Sequence, residues 1–411
     1  MLPVLYKFTF NDPLQQGMLY ATAVLLVLYM ARNGWAGAER EDERVQRAVM
    51  YGLFGAGLAA VGLYYALPEV VLWGKGRGEG IPIHTYGVLV GSGFISAVTV
   101  AAWGAEREWP GEEGRKKRDM VFDMAFYLFV AGIVGSRVLF IIVNWKDYAD
   151  RPASMLSLSG GLVFYGGLIA ASATAYWYTT KHGMNFLRFA DIGMPTVSLG
   201  QMLGRMGCFS AGCCWGDIAK PEFGFGVQFP GAMVKNIFGQ AADTPSLAYQ
   251  SQSVDKRWVV EATGQIFHEA VPGSVRISEW VAQHGHTFPV HPTQLYESFG
   301  QLVMFAGLMT LRRYKRFHGQ IFAIWLMAYA VLRSTVELFR GDVERGTLNG
   351  LLNSMRMDGL ARAVPLEAWY NISTSQFISL CMFALGATLI VTKLKVLRAT
   401  PQVDLNAVAV G

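Results

Sequence analysis

Two arginines stand inside long apolar runs, Arg205 in Leu199–Phe209 and Arg333 in Ile321–Phe339. A third, Arg137, lies toward the end of the apolar stretch Met124–Val143. One arginine at mid-bilayer costs about 2.5–3.5 kcal/mol on insertion scales, so three unpaired ones would cost roughly 8–10 kcal/mol. That is a large share of the about 5–15 kcal/mol that holds a domain folded. The guanidinium groups must therefore meet counter-ions, a polar cavity or a bound anion. A planar guanidinium grips two oxygens of a phosphate or carboxylate at once. The chemistry to look for is anion binding, phosphate above all, at an apolar location.

Arg333 and Glu337 are four residues apart, Arg340 follows three later, and Tyr329 precedes by four, so all four project from one helix face. Two readings stand: an ion pair that lets one arginine tolerate its surroundings, or an anion site in which Glu337 orients Arg333 while Arg205 binds a phosphate. Arg205 lies in Gly204-Arg-Met-Gly207, directly before Cys208. Those glycines allow either close helix packing beside a snorkelling arginine or close approach of a ligand. The stretch Gly160-Gly-Leu-Val-Phe-Tyr-Gly-Gly167 carries Tyr165, in a spacing common at membrane helix contacts.

Cys208, Cys213 and Cys214 cluster in sequence. A disulfide from Cys208 to Cys213 or Cys214, free-thiol chemistry and simple burial all remain open. The histidines His84, His284, His286 and His291 do not stand at zinc-finger spacing, so no metal or other cofactor is expected. Cys381 belongs to the last apolar segment. In His291-Pro-Thr-Gln-Leu-Tyr-Glu297 the proline starts a segment with Tyr296 and Glu297 in its first turns, where a carboxylate suits a helix N-terminus. His84-Thr-Tyr86 either joins an interfacial aromatic belt or lines a cavity.

The elements that must hold these groups are membrane helices. The 411 residues are 52% hydrophobic and 16% charged, with 46 glycines and a mean hydropathy of +0.29, against about 25% charged in a soluble domain. The net charge of +5 falls in short clusters rather than one stripe, so nucleic acid is not an expected partner; membrane lipids are. Apolar windows long enough to span predict an all-α polytopic protein with about nine transmembrane helices, near 17–33, 48–67, 83–103, 121–143, 160–178, 189–206, 294–311, 319–339 and 376–392. No cleavable leader is evident in Met1–Gln16.

The basic clusters at Arg40, Arg44 and Arg47, at Arg115–Arg118, at Arg312–Arg316, and at Lys393, Lys395 and Arg398 fall on one side of that arrangement. The positive-inside rule makes that side cytoplasmic, with the C-terminus inside and the N-terminus outside. Four parts follow: an N-terminal extension, 1–80, with two extra spans; a first transmembrane core, 81–206; an external, mixed head, 207–291, with strand-like patches at Phe223–Phe229 and Trp258–Ala262; and a second core, 292–411, with an external loop at 340–375 and a cytoplasmic tail. No internal repeat is evident.

Taken in order, several segments resemble the prolipoprotein diacylglyceryl transferase family of bacterial inner membranes. They are His84-Thr-Tyr86-Gly87, Gly135-Ser-Arg137, the Gly160–Leu168 stretch, Asp191, Gly204-Arg-Met-Gly-Cys-Phe-Ser-Ala-Gly-Cys-Cys-Trp-Gly216, Phe229-Pro-Gly231, His291–Glu297, and Tyr329 with Arg333–Arg340. The likeness covers roughly 83–395; residues 1–80 lie outside it.

The resemblance implies transfer of the diacylglyceryl group of phosphatidylglycerol to the lipobox cysteine of a preprolipoprotein, with glycerol phosphate leaving. It also implies an inner-membrane location. Arg205 and Arg333 match the family's two essential arginines. Glu337 would hold Arg333, and Tyr86, Tyr329 and Arg340 would line the head-group cavity, with Arg137, Cys208, Tyr296 and Glu297 also at the substrate. The chain departs from the family in having Tyr165 where a histidine is common. It also has Cys208, Ala211 and Cys213 where two asparagines and a glutamate are usual. A tyrosine, with pKa about 10, is a poor base at neutral pH, so the acceptor's proton needs another route or Tyr165 acts as a hydrogen-bond partner. Two other functions remain open: transfer of a lipid moiety to a different acceptor, and a non-catalytic phospholipid-binding or translocating protein.

Overall fold

The computed structural model describes residues 4–8, 13–36, 41–66, 69–70, 74–75, 81–145, 148, 155, 161–231, 245–340 and 373–399. Most of the expected external loop (341–372), the end of the C-terminal tail, Gly160 and residues 76–80 lie outside them.

The chain is mostly helical. The long helices are α1 (Pro13–Ala36), α2 (Glu41–Ala66), α3 (Thr85–Glu108), α4 (Gly111–Val143), α5 (Phe164–Lys181), α6 (Phe186–Ala211), α9 (Thr293–Leu311), α10 (Gln320–Glu337) and α11 (Thr374–Ala399). Short helices α7 (Leu247–Ser253) and α8 (Ile277–His284) lie between α6 and α9. Among the described residues, three helices are long and apolar enough to cross a bilayer: Thr85–Glu108, Gly111–Val143 and Thr374–Val396.

The burial pattern is that of a protein in lipid. Large apolar side chains such as Leu25, Ile95, Ile142 and Ile169 point outward, whereas Asp191, Ser198, Gln294, Glu297 and Gln301 are buried. Water would favour the reverse; in a bilayer the polar groups must be satisfied inside the bundle.

Helix α6 is the hub, packed against α3, α5, α9 and α10, while α10 also packs on α11. It starts three residues before the expected window and runs five past it, through Pro195. The proline ring removes one backbone donor, and packing against its neighbours carries the helix across that point. Helices α4 and α5 meet through glycine. A Cβ at Gly135 would stand 2.6 Å from the Gly166 carbonyl oxygen, and one at Gly166 would stand 2.5 Å from the Leu139 Cβ. The glycine-rich stretch is therefore a helix contact, as its spacing suggests.

At one end of the bundle Glu108 of α3 binds Arg188 of α6 at 3.3 Å, Arg312 at 3.3 Å and Lys315 at 2.6 Å. This cluster puts the α3–α4, α5–α6 and α9–α10 connections on one face. Close by in sequence, fully buried Asp191 accepts from Gly319 N at 2.8 Å and Phe322 N at 3.0 Å, satisfying the otherwise orphan first turn of α10. Asp191→Ala strands both donors and is expected to lower stability by roughly 1–3 kcal/mol, read as a drop in the thermal midpoint in detergent. An unchanged midpoint would remove the cap from the stability of α10.

Between α6 and α9 lies a mixed segment with its own core. Strands β1 (Trp258–Val260), β2 (Gln265–Phe267) and β3 (Ser274–Arg276) form an antiparallel sheet in the order β2-β1-β3. Val259 and, in α8, Ile277 and Val281 are fully buried in it, and Phe288 nearly so. The other strand-like patch forms no strand: in Phe223–Phe229 only Val227 bridges, to Val290. Gly224, at φ +25°, breaks the extended run, and Phe229 beyond it is fully buried.

Candidate active site

Arg205, near the C-terminal end of α6, forms an ion pair with Glu297 of α9 at 2.9 Å. Glu297 is 2% exposed, so its position in the second turn of α9 is not that of a solvated cap; it is the counter-ion of Arg205. The Arg205 side chain keeps 24% of its surface exposed, leaving guanidinium N–H groups for a further acceptor.

On α10, Arg333 Nη1 lies 2.8 Å from Glu337 Oε2, the four-residue pair expected from sequence, and Nη2 donates to Ser375 Oγ of α11 at 3.1 Å. Each arginine thus has its own carboxylate. What they share is Tyr329: this partly buried phenol has Arg205, Arg333, Glu297 and Tyr165 as its electrostatic neighbours. Tyr329 is held by stacking on Trp325 (centroids 5.2 Å apart, planes at 13°), and Trp325 Nε1 donates to Ser198 Oγ of α6 at 2.9 Å. Two cationic groups on separate helices therefore both act electrostatically on one phenol.

The other expected residues fall at differing removes. Tyr86, at the start of α3, is 44% exposed and packs where a Cβ on Gly207 would stand, with Arg205 and the three cysteines around it. Tyr165 opens α5, 43% exposed. Tyr296 lies 3.3 Å from His291 Nδ1 and packs edge-on against Phe339. Burial holds the His291 imidazole below its ordinary range, with Asp217 opposing, so it is neutral at pH 7. Arg340 follows α10, its N–H donating to the Glu337 carbonyl at 3.2 Å. Arg137 turns to the chain before α5, donating to the Gly161 and Met155 carbonyls at 3.2 Å each. That is a backbone anchor, a role its sequence position did not suggest.

The cysteines are free thiols, and Cys208, Cys213 and Cys214 bring their sulfurs within 4.8 Å of one another. The turn that does this is strained. Cys214, at φ +61°, is the only non-glycine residue with positive φ among the described residues, a conformation costing about 1–2 kcal/mol. It is held by Cys213 N donating to Cys208 O at 3.1 Å, Thr293 Oγ1 to Cys214 O at 2.8 Å, and Gln294 Nε2 to Cys213 O at 2.6 Å. Hydrogen bonds from Cys208 and Cys213 pull the Cys214 thiol well below the ordinary range against burial, with Arg205 and Arg340 adding to the pull; Cys213 is pushed up.

Sequence reasoning missed Thr293, Gln294 and Ser375. Their signal was present: Gln294 and Gln301 are long polar side chains seven residues apart in an apolar segment, both buried, with Gln301 donating to Gln201 of α6 at 2.6 Å.

Comparison with known proteins shows the family. A phosphatidylglycerol–prolipoprotein diacylglyceryl transferase of Clostridium tetani is 27% identical over 307 residues, covering 75% of this chain and 92% of the relative. A protein of the same name from Finegoldia magna is 28% identical over 265 residues, covering 64% and 81%. One from Enterococcus faecalis is 25% identical over 317 residues, covering 76% and 87%. The profile of the family described as prolipoprotein diacylglyceryl transferase matches residues 77–392, which takes in every residue of the site, and the chain belongs to that family.

Proposed function

We propose that this chain transfers the diacylglyceryl group of phosphatidylglycerol to the lipobox cysteine thiol of a preprolipoprotein, releasing glycerol phosphate. The observation that carries the reading is that Arg205 and Arg333, on separate helices, both act electrostatically on Tyr329, inside a bundle whose relatives bear that activity in their names. In the reaction the acceptor sulfur forms a bond to the glyceryl carbon, the carbon–oxygen bond to phosphate breaks, and the electron pair leaves on the phosphate oxygen. Charge grows on that leaving group, so donors aimed at it lower the barrier.

Arg205 and Arg333 take that role. Glu297 and Glu337 orient them, and Tyr329, Tyr86, Tyr296 and Arg340 line the head-group space, with Cys208 beside Arg205. The long helices form nine spans in a bacterial inner membrane. The Glu108 end is cytoplasmic, as its cluster of basic side chains favours. The segment 207–291 is then an external head, and the arginine pair opens to the outer side, where secreted acceptors arrive.

The direct test is incubation of purified protein with phosphatidylglycerol and a lipobox peptide, reading the mass of the peptide. Addition of one diacylglyceryl group is expected, and loss of it when the peptide cysteine is serine. A well-folded protein that lipidates neither the peptide nor precursors in a transferase-deficient strain would overturn the reading.

Tyr165→Phe separates two roles for that phenol. Retained turnover, within about threefold of the parent, is expected, because a neutral tyrosine is a poor proton acceptor at pH 7. A loss of 10²-fold or more, about the low end of what general acid–base groups contribute, would make the hydroxyl a proton carrier.

A further inference from the structure

We propose that Cys208, Cys213 and Cys214 form a binding site for a thiophilic divalent cation of the zinc class, whose fourth coordination position takes the acceptor thiol. The catalytic part of this proposal rests on the transferase reading above; the metal site itself does not.

The geometry of the sulfurs comes first. Around a cation with metal–sulfur bonds of about 2.3 Å, tetrahedral ligands stand about 3.8 Å apart. The three sulfurs already lie within 4.8 Å of one another, so closure on a cation needs shifts of well under about 1 Å each. Sequence spacing alone hid this arrangement, because it offered no histidine pair. The grouping arises from the end of α6 and the turn that follows it.

That turn is the second, independent observation. Cys214 holds a left-handed conformation that only glycine adopts without strain. It is fixed by two side chains of α9 that bind its own carbonyl and that of Cys213. Backbone strain maintained by neighbouring side chains gathers at working sites rather than at passive ones. Here its effect is to aim a third sulfur at the other two.

Charge is the third. Three thiolates and a divalent cation sum to one negative charge, and the site lies beside the guanidinium groups of Arg205 and Arg340. The pair of cations would repel a bare dication but accepts an anionic metal–thiolate unit. Among the described residues no histidine, aspartate or glutamate joins the three sulfurs. Three protein ligands and one open position are the pattern of zinc sites that do chemistry, whereas purely structural ones are closed.

The open position solves a proton problem. The carboxylates nearest the arginines are committed to ion pairs, and the other groups around Arg205 are phenols and thiols. A thiol bound to zinc is deprotonated outright. The acceptor S–H would give its proton to water on binding, and the metal-held thiolate would then supply the electron pair for the new carbon–sulfur bond. The carbon–oxygen bond breaks, glycerol phosphate departs toward Arg205 and Arg333, and the thioether product, a weaker ligand, is released.

The test uses the full chain in detergent, purified under reducing conditions without chelator and equilibrated with Zn2+ alone. Mass spectrometry of the metal content should give one zinc per chain, falling below about a tenth in both Cys213→Ser and Cys208→Ser and in parent protein alkylated beforehand. Thermal midpoints close to the parent's show that the variants fold. With Co2+ in place of zinc, thiolate charge-transfer and tetrahedral ligand-field bands should appear. They should shift on adding a lipobox peptide but not its serine counterpart.

Unchanged zinc content in the variants and the alkylated protein, failure of the reduced parent to bind zinc, or a native disulfide among the three thiols would overturn the site. A cobalt spectrum blind to the peptide, or full transfer by zinc-free protein, would overturn its role toward the acceptor. If zinc binds as expected and no lipid is ever transferred, the transferase reading fails and the metal site stands.

Discussion

Arg333→Lys is expected to lose nearly as much kcat/KM for diacylglyceryl transfer as Arg333→Ala, each falling about 10²–10³-fold, the range seen when one preorganised donor to a developing anion is removed. The reason is the way the guanidinium is held. Its two terminal nitrogens are engaged by different helices, Nη1 by Glu337 of α10 at 2.8 Å and Nη2 by Ser375 of α11 at 3.1 Å. The ion pair and the hydrogen bond together restrict the group before substrate arrives, and a planar fork can still present an edge to phosphate oxygens. A lysine ammonium is a single point on a flexible stem. It can satisfy Glu337, or reach for a phosphate, but it cannot hold Glu337, Ser375 and substrate in one plane.

Alanine differs in a second way. It removes the Arg333 ion pair from the Glu337 carboxylate, 6% exposed, so stability falls along with activity. Lysine should keep most of the stability and lose the activity. Full activity in Arg333→Lys would reduce the residue to a point charge and remove the argument for planar recognition.

The parts of this site that could be read from sequence are those built within one helix. Arg333, Glu337 and Tyr329 share a face by their spacing alone, and the structure keeps the pair. Apolar windows likewise locate the helices, because each must present a lipid-facing surface whatever its neighbours are. Their ends are less legible: α6 runs on through Pro195, since packing on four neighbours outweighs one missing hydrogen bond.

Contacts between distant segments were not legible. The partner of Arg205 is 92 positions away, and nothing in the local pattern around Glu297 separates a counter-ion from a helix cap. The sulfurs of Cys213 and Cys214 are aimed by Thr293 and Gln294, whose polar character hints at a duty but not at its object. The contacts of Arg137 were equally illegible, for this arginine in an apolar run donates to two carbonyls of the neighbouring connection.

Removing both members of the Arg205–Glu297 pair should destabilise the fold less than removing either one. Glu297 is almost wholly buried, and the pair joins α6 to α9 at 2.9 Å. Breaking a buried ion pair from one side typically costs about 3–5 kcal/mol, because the remaining charge keeps its desolvation penalty and loses its compensation. Arg205→Ala strands a carboxylate; Glu297→Ala strands a guanidinium, which the partly open side of Arg205 relieves in part. The double variant strands neither. A double-mutant cycle on thermal or denaturant unfolding in detergent measures the difference. Coupling of at least about 1 kcal/mol is expected, with Arg205→Ala the worse single variant.

Activity should separate from stability along the same series. The double variant, though better folded, should stay as inactive as Arg205→Ala, since the cation needed at the phosphate is gone from both. Glu297→Gln should retain some turnover, because an amide oxygen can still accept from the guanidinium and hold its orientation. Additive stability losses would mean that the two groups do not form one buried unit. Transfer activity regained in the double variant would mean that Arg205 serves the fold alone, and that the phosphate is bound elsewhere.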